Sequence, residues 1–428
     1  MMVTSLYNMA DTFFVSQLGT SASGAVGIIF SIMAIIQAVG FTIGMGSGSL
    51  ISRYLGAQDK AHADEYSSTA FFTALVLGTL LGAAGLIFQK EIIVHLGATP
   101  TILPYARDYA RYILIGTPFM CASFVMNNQL RFQGKAALSM VGLTTGGVLN
   151  LVLDPLFIFG FGWGISGAAI ATLVSQCVSF LILLSFFVRR KSTTELSIKH
   201  AAKQIGVYAA IIQNGLPSLC RQGMAAIATV MLNIAAGTYG DAAVAGMSIT
   251  NRVFMFLMSI AIGIGQGFQP ICGMNYGAKL YGRVKSAFYF TVRLCVVLMS
   301  FFGVVCFIFA PQIVRAFRND AEVIKVGMLA MRFQCCALPG LSLIFGTNMM
   351  LQTTGQSKSA TFLSCLRQGI FFLPLIAILP RTIGLAGVQC SQMISDMLTF
   401  LVTIPFAVSF FRKLNAQEKS PSDFFSLE

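Results

Sequence analysis

Fifteen acidic residues occur in the 428-residue chain, and three of them, Asp11, Asp154 and Asp396, fall inside long apolar runs. Placing a carboxylate at the centre of a bilayer costs at least ~2.5 kcal/mol on insertion scales, so an acid in such a run is a functional candidate by default. Asp154 sits in GVLNLVLDPLFIFG (147–160). Asn150, four residues earlier, shares its helical face. Pro155 follows; it has no N–H, which releases the Leu151 carbonyl and favours a kink beside the acid. A carboxylate, an amide and a freed carbonyl within one turn make an oxygen-rich pocket suited to a proton or a small cation. The competing reading is a helix-packing hydrogen bond with no traffic through it. Asp396 has only Gln392 at helical spacing, which favours a structural role.

Other chemistries lack their parts. The ten cysteines fall almost entirely in apolar runs (Cys121, Cys177, Cys272, Cys306 and Cys390 among them), with no CxxC pair, and read as small core fillers. His62, His95 and His200 lie in or near polar segments, so neither a resident metal nor an enzyme active site is expected. GMGSG (44–48) and GIGQG (263–267) are followed by no Gly-Lys-Ser/Thr; they serve close helix packing better than phosphate binding. No ATP motif or other cofactor signature appears, so any uphill work must draw on an ion gradient.

The elements that must position these residues are membrane spans. The chain is 56% hydrophobic and 10% charged, with a mean hydropathy of +0.78; a soluble protein carries about 25% charged residues. Its apolar blocks run about 20 residues, enough to cross a hydrocarbon core of roughly 30 Å. Eleven complete spans are predicted, over 25–50, 67–88, 112–130, 137–159, 165–188, 207–236, 244–272, 287–309, 333–352, 360–379 and 383–409, after a fragment of a first span ending near Leu18. The net charge of +13 lies in short loops, the pattern of membrane topology and not of nucleic-acid binding. Alternate loops divide 16 Lys and Arg on one side against 8 on the other. The richer set, with the C-terminus, is therefore cytoplasmic.

An internal repeat organises the spans. At a spacing of 221 residues Gly19 matches Gly240, Gly44 matches Gly265, Pro118 matches Pro339, Asn127 matches Asn348 and Gly134 matches Gly355; at 220, Gly164 matches Gly384 and Ser175 matches Ser395. Six spans per repeat is an even number. The expected architecture is thus all-α and polytopic, two six-helix bundles related by a pseudo-two-fold axis along the membrane normal. The expected divisions are an N-terminal lobe over 1–188, a cytoplasmic linker over 189–206, a C-terminal lobe over 207–410 and a cytoplasmic tail over 411–428. The partner of Val207 would precede Met1, so the first helix is expected to be N-terminally incomplete.

Depth selects a wider site. At 1.5 Å per residue, Asp11 lies about 12 Å from the outer end of its span, Asp154 about 9 Å, Asn150 about 15 Å and Thr172 about 12 Å, so all four can meet in the outer half of the first bundle. YNMADTFFVSQLG (7–19), GMGSGSLISRYLGAQ (44–58), RFQGK (131–135), NLVLDPLFIFG (150–160), GAAIAT (167–172), GQGFQPICGMNYGA (265–278) and LQTTGQSK (351–358) resemble multidrug and toxic-compound extrusion (MATE) transporters, most closely the DinF-like bacterial branch. The resemblance covers nearly the whole chain. It implies that Asp11, Asn150, Asp154 and Thr172 form the cation-coupling site. Family members of the NorM type also carry acids in the seventh and tenth helices; this chain has none over 207–236 or 333–352. The polar groups there, Arg221, Gln222, Asn348 and Gln352, either touch substrate or cross-link helices.

The resulting expectation is a monomeric, multi-pass protein of the cytoplasmic membrane, in contact with lipid. It would export amphipathic, often cationic, small molecules in exchange for H⁺ or Na⁺ by alternating access, with Na⁺ the only metal ion to enter the site. The 21 Met and 37 Phe residues suit a pliable surface for varied ligands. A flippase for a lipid-linked precursor is the alternative, for which Arg221, Arg252 and Arg367 supply positive charge.

Overall fold

The computed structural model describes residues 14–15 and 17–419. Eleven of its helices are long and apolar enough to cross a membrane, one for each complete span predicted above. In chain order the helices are α1 (Thr20–Gly56), α2 (Lys60–Ile87), short α3 (Gln89–His95), α4 (Leu103–Phe132), α5 (Ala136–Pro155), α6 (Gly164–Val188), α7 (Ile205–Gly237) and α8 (Asp241–Gly277). They continue with α9 (Tyr281–Ile308), short α10 (Ala310–Phe317), α11 (Ala321–Thr353), α12 (Ser357–Cys365), α13 (Phe372–Ile383) and α14 (Leu385–Lys419). A π-helical turn, Leu156–Gly160, extends α5, and another, Leu366–Phe371, joins α12 to α13 into one span.

Apolar faces turned outward make this a membrane fold. On α9, Val297, Phe301, Val304 and Ile308 recur at helical spacing and are 58–65% exposed. A stripe of that kind in water would be an aggregation site; in a bilayer it faces lipid. Helix starts follow local rules. The Asp59 carboxylate accepts from the His62 N–H at 3.1 Å, and Asp320 accepts from the N–H groups of Glu322 and Val323 at 3.0 and 3.2 Å.

The chain forms two compact units, Met1–Gly215 and Leu216–Glu428, divided inside α7. In the first, α4 is the central helix, packed by α1, α2, α5 and α6; in the second, α11 is packed by α8, α9, α12 and α14. The sequence repeat reappears in the backbone of each unit. Gly134 and Gly355 both adopt a left-handed turn (φ 78° and 87°), as do Gly164 and Gly384 (φ 56° and 65°), conformations that a Cβ disfavours. A side-chain bond repeats as well: Asn127 donates to the Ser139 carbonyl and Asn348 to the Ala360 carbonyl, each at 2.8 Å.

The segment predicted as a linker is fastened to the first unit. The Gln133 carbonyl accepts from the Ser192 hydroxyl and the Thr193 N–H, both at 2.8 Å, and its amide donates to the Thr194 hydroxyl at 2.8 Å. Thr194 donates onward to Ser67 at 3.0 Å, the Glu195 N–H donates to Asp64 at 2.8 Å, and the Ala202 N–H donates to Thr69 at 2.8 Å. Lys60 pairs with the Glu195 carboxylate at 3.2 Å, and this hydrogen bond holds that carboxyl below its usual range.

Candidate functional site

Three of the four residues selected by depth lie on α5 and α6, and the approach of these two helices brings Asn150, Asp154 and Thr172 together. Glycines set the approach. A Cβ on Gly142 would fall 2.6 Å from Leu183, and one on Gly146 would fall 3.2 Å from the Ser175 carbonyl oxygen. A Cβ on Gly167 would fall 2.7 Å from the carbonyl carbon and oxygen of Phe157. Ser179 closes the seam by donating to the Gly142 carbonyl at 2.9 Å. Small residues at such a crossing let helix backbones touch where lipid offers no hydrophobic drive.

Asp154 is 0% exposed, Asn150 3% and Thr172 4%. The Asn150 amide nitrogen donates to the Asp154 carboxylate at 2.9 Å and to the Thr172 hydroxyl at 3.4 Å. Asp11 lies outside the described residues. Pro155, where a kink was expected, leads directly into the π turn Leu156–Gly160. Pro155 still has no N–H to offer the Leu151 carbonyl, and a π turn is a common distortion at functional sites.

Beside Asn150 and Thr172 lies a small cavity of about 20 Å³, walled by Gly146, Gly147, Ser175 and Gln176. One water needs roughly 10–15 Å³. The Ser175 hydroxyl, on a residue 2% exposed, has no hydrogen-bond partner among the described residues. The sequence marks Ser175 only as a repeat position and Gln176 not at all, because a cavity has no periodic signature. Their matches Ser395 and Asp396 one repeat later were the available clue.

This arrangement suits a monovalent cation or a proton. A carboxylate, an amide and a hydroxyl supply oxygen ligands, the chemistry of hard cations. With the amide nitrogen turned to the carboxylate, Asn150 supports the ionised acid. Rotated by 180°, the same amide would present its oxygen to a metal ion. Among the described residues no group of three or more His, Cys, Asp and Glu side chains is placed to hold a metal.

The second unit differs. Its buried acid, Asp396, is 2% exposed and forms a two-pronged ion pair with Arg367, at 2.7 Å to Nε and 3.5 Å to Nη2. Gln392 donates to the same carboxylate at 2.8 Å. Of the candidate substrate residues, Arg221 and Gln222 lie partly buried on α7. Asn348 donates to Ala360 and, at 2.9 Å, to Ser364; the Gln352 amide donates to Ser218 at 3.0 Å. Those last two cross-link helices.

Comparison with known proteins places the fold among transporters. Residues 1–156 and 217–378 match the family model MatE. The multidrug export protein MepA of Staphylococcus haemolyticus is 28% identical over 422 residues, 97% of this chain and 92% of that protein. MepA of Staphylococcus aureus strain MSSA476 is 27% identical over 406 residues, 93% of this chain and 88% of its own. Among solved structures, an outward-facing multidrug resistance MATE family transporter of the MOP superfamily superposes with a TM-score of 0.89 at 28% identity, over 98% of this chain and 94% of that one. A MOP superfamily transporter from Pyrococcus furiosus, for which reversed polarity of the binding pocket suggests a different function, superposes with a TM-score of 0.90 at 27% identity over the same shares.

Proposed function

The chain belongs to the MatE family, and from that premise we propose that it is an ion-coupled multidrug exporter of the cytoplasmic membrane. It moves amphipathic, often cationic, small molecules outward in exchange for H⁺ or Na⁺. The observation that carries the reading is the fully buried Asp154 carboxylate, held by Asn150 beside Thr172 in a helix bundle with no ATP-binding element in its sequence. An acid at such depth is costly unless it exchanges a partner.

In the outward-facing state Asp154, together with Asp11, takes up the ion from outside. Occupancy changes the packing of α5 on α6 around Pro155 and the π turn, and drug leaves toward the exterior. Release of the ion to the cytoplasm resets access. The scheme requires the ion to bind one conformation better than the other, since a ligand without that preference shifts nothing. The excess of Lys and Arg in alternate loops, 16 against 8, sets the C-terminus in the cytoplasm. The working unit is a monomer in lipid, without cofactor or nucleic acid.

The alternative, a lipid-linked precursor flippase, draws on Arg221 and Arg252 in the second half of the chain and on the reversed pocket polarity of the Pyrococcus transporter. Purified protein in vesicles decides between the two. Export of a fluorescent organic cation, abolished by Asp154→Asn, is expected; movement of a lipid-linked sugar with no cation export would replace the proposal by the alternative.

A further inference from the structure

The two units offer an internal control on the cavity beside Asn150. At 221 residues Gly146 corresponds to Arg367; at 220, Thr172, Ser175 and Gln176 correspond to Gln392, Ser395 and Asp396. Local packing supports the correspondence. A Cβ on Gly146 would touch the Ser175 backbone, and the Arg367 carbonyl accepts from the Ser395 hydroxyl at 2.5 Å. The same two helical positions therefore face each other in each unit. In the first they are a glycine and a serine with an unpartnered hydroxyl, and a 20 Å³ space remains. In the second a guanidinium grows from the glycine position.

That guanidinium is built into its place. Its side chain is 12% exposed against 1% for Asp396. Its Nε donates to Oδ1 of Asp396 and its Nη2 to Oδ2, Gln392 donates to Oδ1 as well, and the guanidinium carbon sits 5.7 Å from the Phe345 ring centre. Carboxylate, amide and aromatic face are the elements of a cation cage. Arg367 also lies in the π turn Leu366–Phe371, whose extra residue shifts the register of the helix that carries it.

We propose that Arg367 is a tethered cation. It fills in the second unit the place that stays open in the first, and it closes the Asp396 cage to exchangeable cations. The chain then carries one exchangeable cation site, at Asp154, and in the second unit a carboxylate cage, built on the position that matches Gln176, that its own arginine keeps occupied. The number of exchangeable sites rests on the function proposed above; the occupancy of the Asp396 cage does not. Removal of the side chain should uncover a binding site for guanidinium-like cations.

The test is chemical rescue on the full chain in detergent micelles. Arg367→Gly restores the residue found at the matching position, and methylguanidinium is the probe. A saturable rise in melting temperature of about 1.5 °C at ten times the dissociation constant is expected for Arg367→Gly. No such rise is expected for the unsubstituted protein or for Arg367→Gly combined with Asp396→Asn. Folded Arg367→Gly with no saturable rise, or an equal rise without the acid, overturns the proposal. If Arg367→Gly does not fold, Arg367→Gln keeps a donor to Asp396 without the charge, and rubidium bound per chain is counted. An increase of one over the unsubstituted protein supports the tethered cation, and no increase overturns it. Asp154 as the exchangeable site is judged separately, by loss of coupled export in Asp154→Asn.

Discussion

Gly167→Ala places one methyl group at a crossing that never touches the proposed ion, and its effect can be worked from the geometry. The new Cβ would lie 2.7 Å from the Phe157 carbonyl, where ordinary contact begins at 3.4 Å, so α6 must retreat by about 0.7 Å. Thr172 lies five residues further, about 7.5 Å along the same rigid helix. Its hydroxyl is already 3.4 Å from the Asn150 amide, and the retreat carries it to about 4 Å, beyond hydrogen-bond range. Overpacking of this kind costs about 1–3 kcal/mol of stability. A lost neutral hydrogen bond is worth about 1 kcal/mol, so the ion concentration for half-maximal efflux should rise about five-fold. Gly387→Ala is the matched control. Its Cβ would meet the Leu379 carbonyl at 2.4 Å, so its stability loss should be at least as large, yet the ion dependence should stay unchanged. Both variants are to be melted in detergent and assayed for efflux against ion concentration in proteoliposomes. An unchanged ion dependence in Gly167→Ala, or an equal shift in Gly387→Ala, would refute the reasoning.

Three further outcomes are expected. Arg367→Met and Asp396→Leu should each cost about 3–5 kcal/mol by stranding a buried charge, whereas the double variant should recover most of that loss; titration with a denaturing detergent measures the non-additivity. Gln133→Leu removes three hydrogen bonds to residues 192–194, worth about 1 kcal/mol each, and should speed proteolytic nicking within 189–204. Lys60 depresses the Glu195 carboxyl below 4.5, so that pair contributes fully above the unfolded value and its contribution is lost as pH falls through the lowered one. Nicking by pepsin, normalised to its cleavage of an unfolded reference protein at each pH, should therefore increase on acidification through that window, and Glu195→Gln should lessen that increase.

The spans were legible because apolar blocks of bilayer length have few other uses. Their ends were not: α11 begins at Ala321, not 333, and α4 at Leu103, not 112. Those added turns are polar enough to read as loop, and they start from local devices such as the Asp320 cap. Asn150 and Asp154 announced themselves by four-residue spacing, and Thr172 by depth. Arg367 could not be matched to Asp396 from spacing, since 29 residues and a helix reversal separate them, and a π turn moves the helical phase on which such pairing depends. The docking of 189–204 was equally hidden. It uses single side chains against loop backbone, a pattern with no period.

Efflux from proteoliposomes driven by a pH gradient alone and then by a sodium gradient alone tests the Asp154 site most directly. The unsubstituted protein should export a fluorescent organic cation under at least one gradient, and Asp154→Asn, correctly inserted and folded, should not respond to that gradient. Coupled export by Asp154→Asn at the rate of the unsubstituted protein would contradict the account.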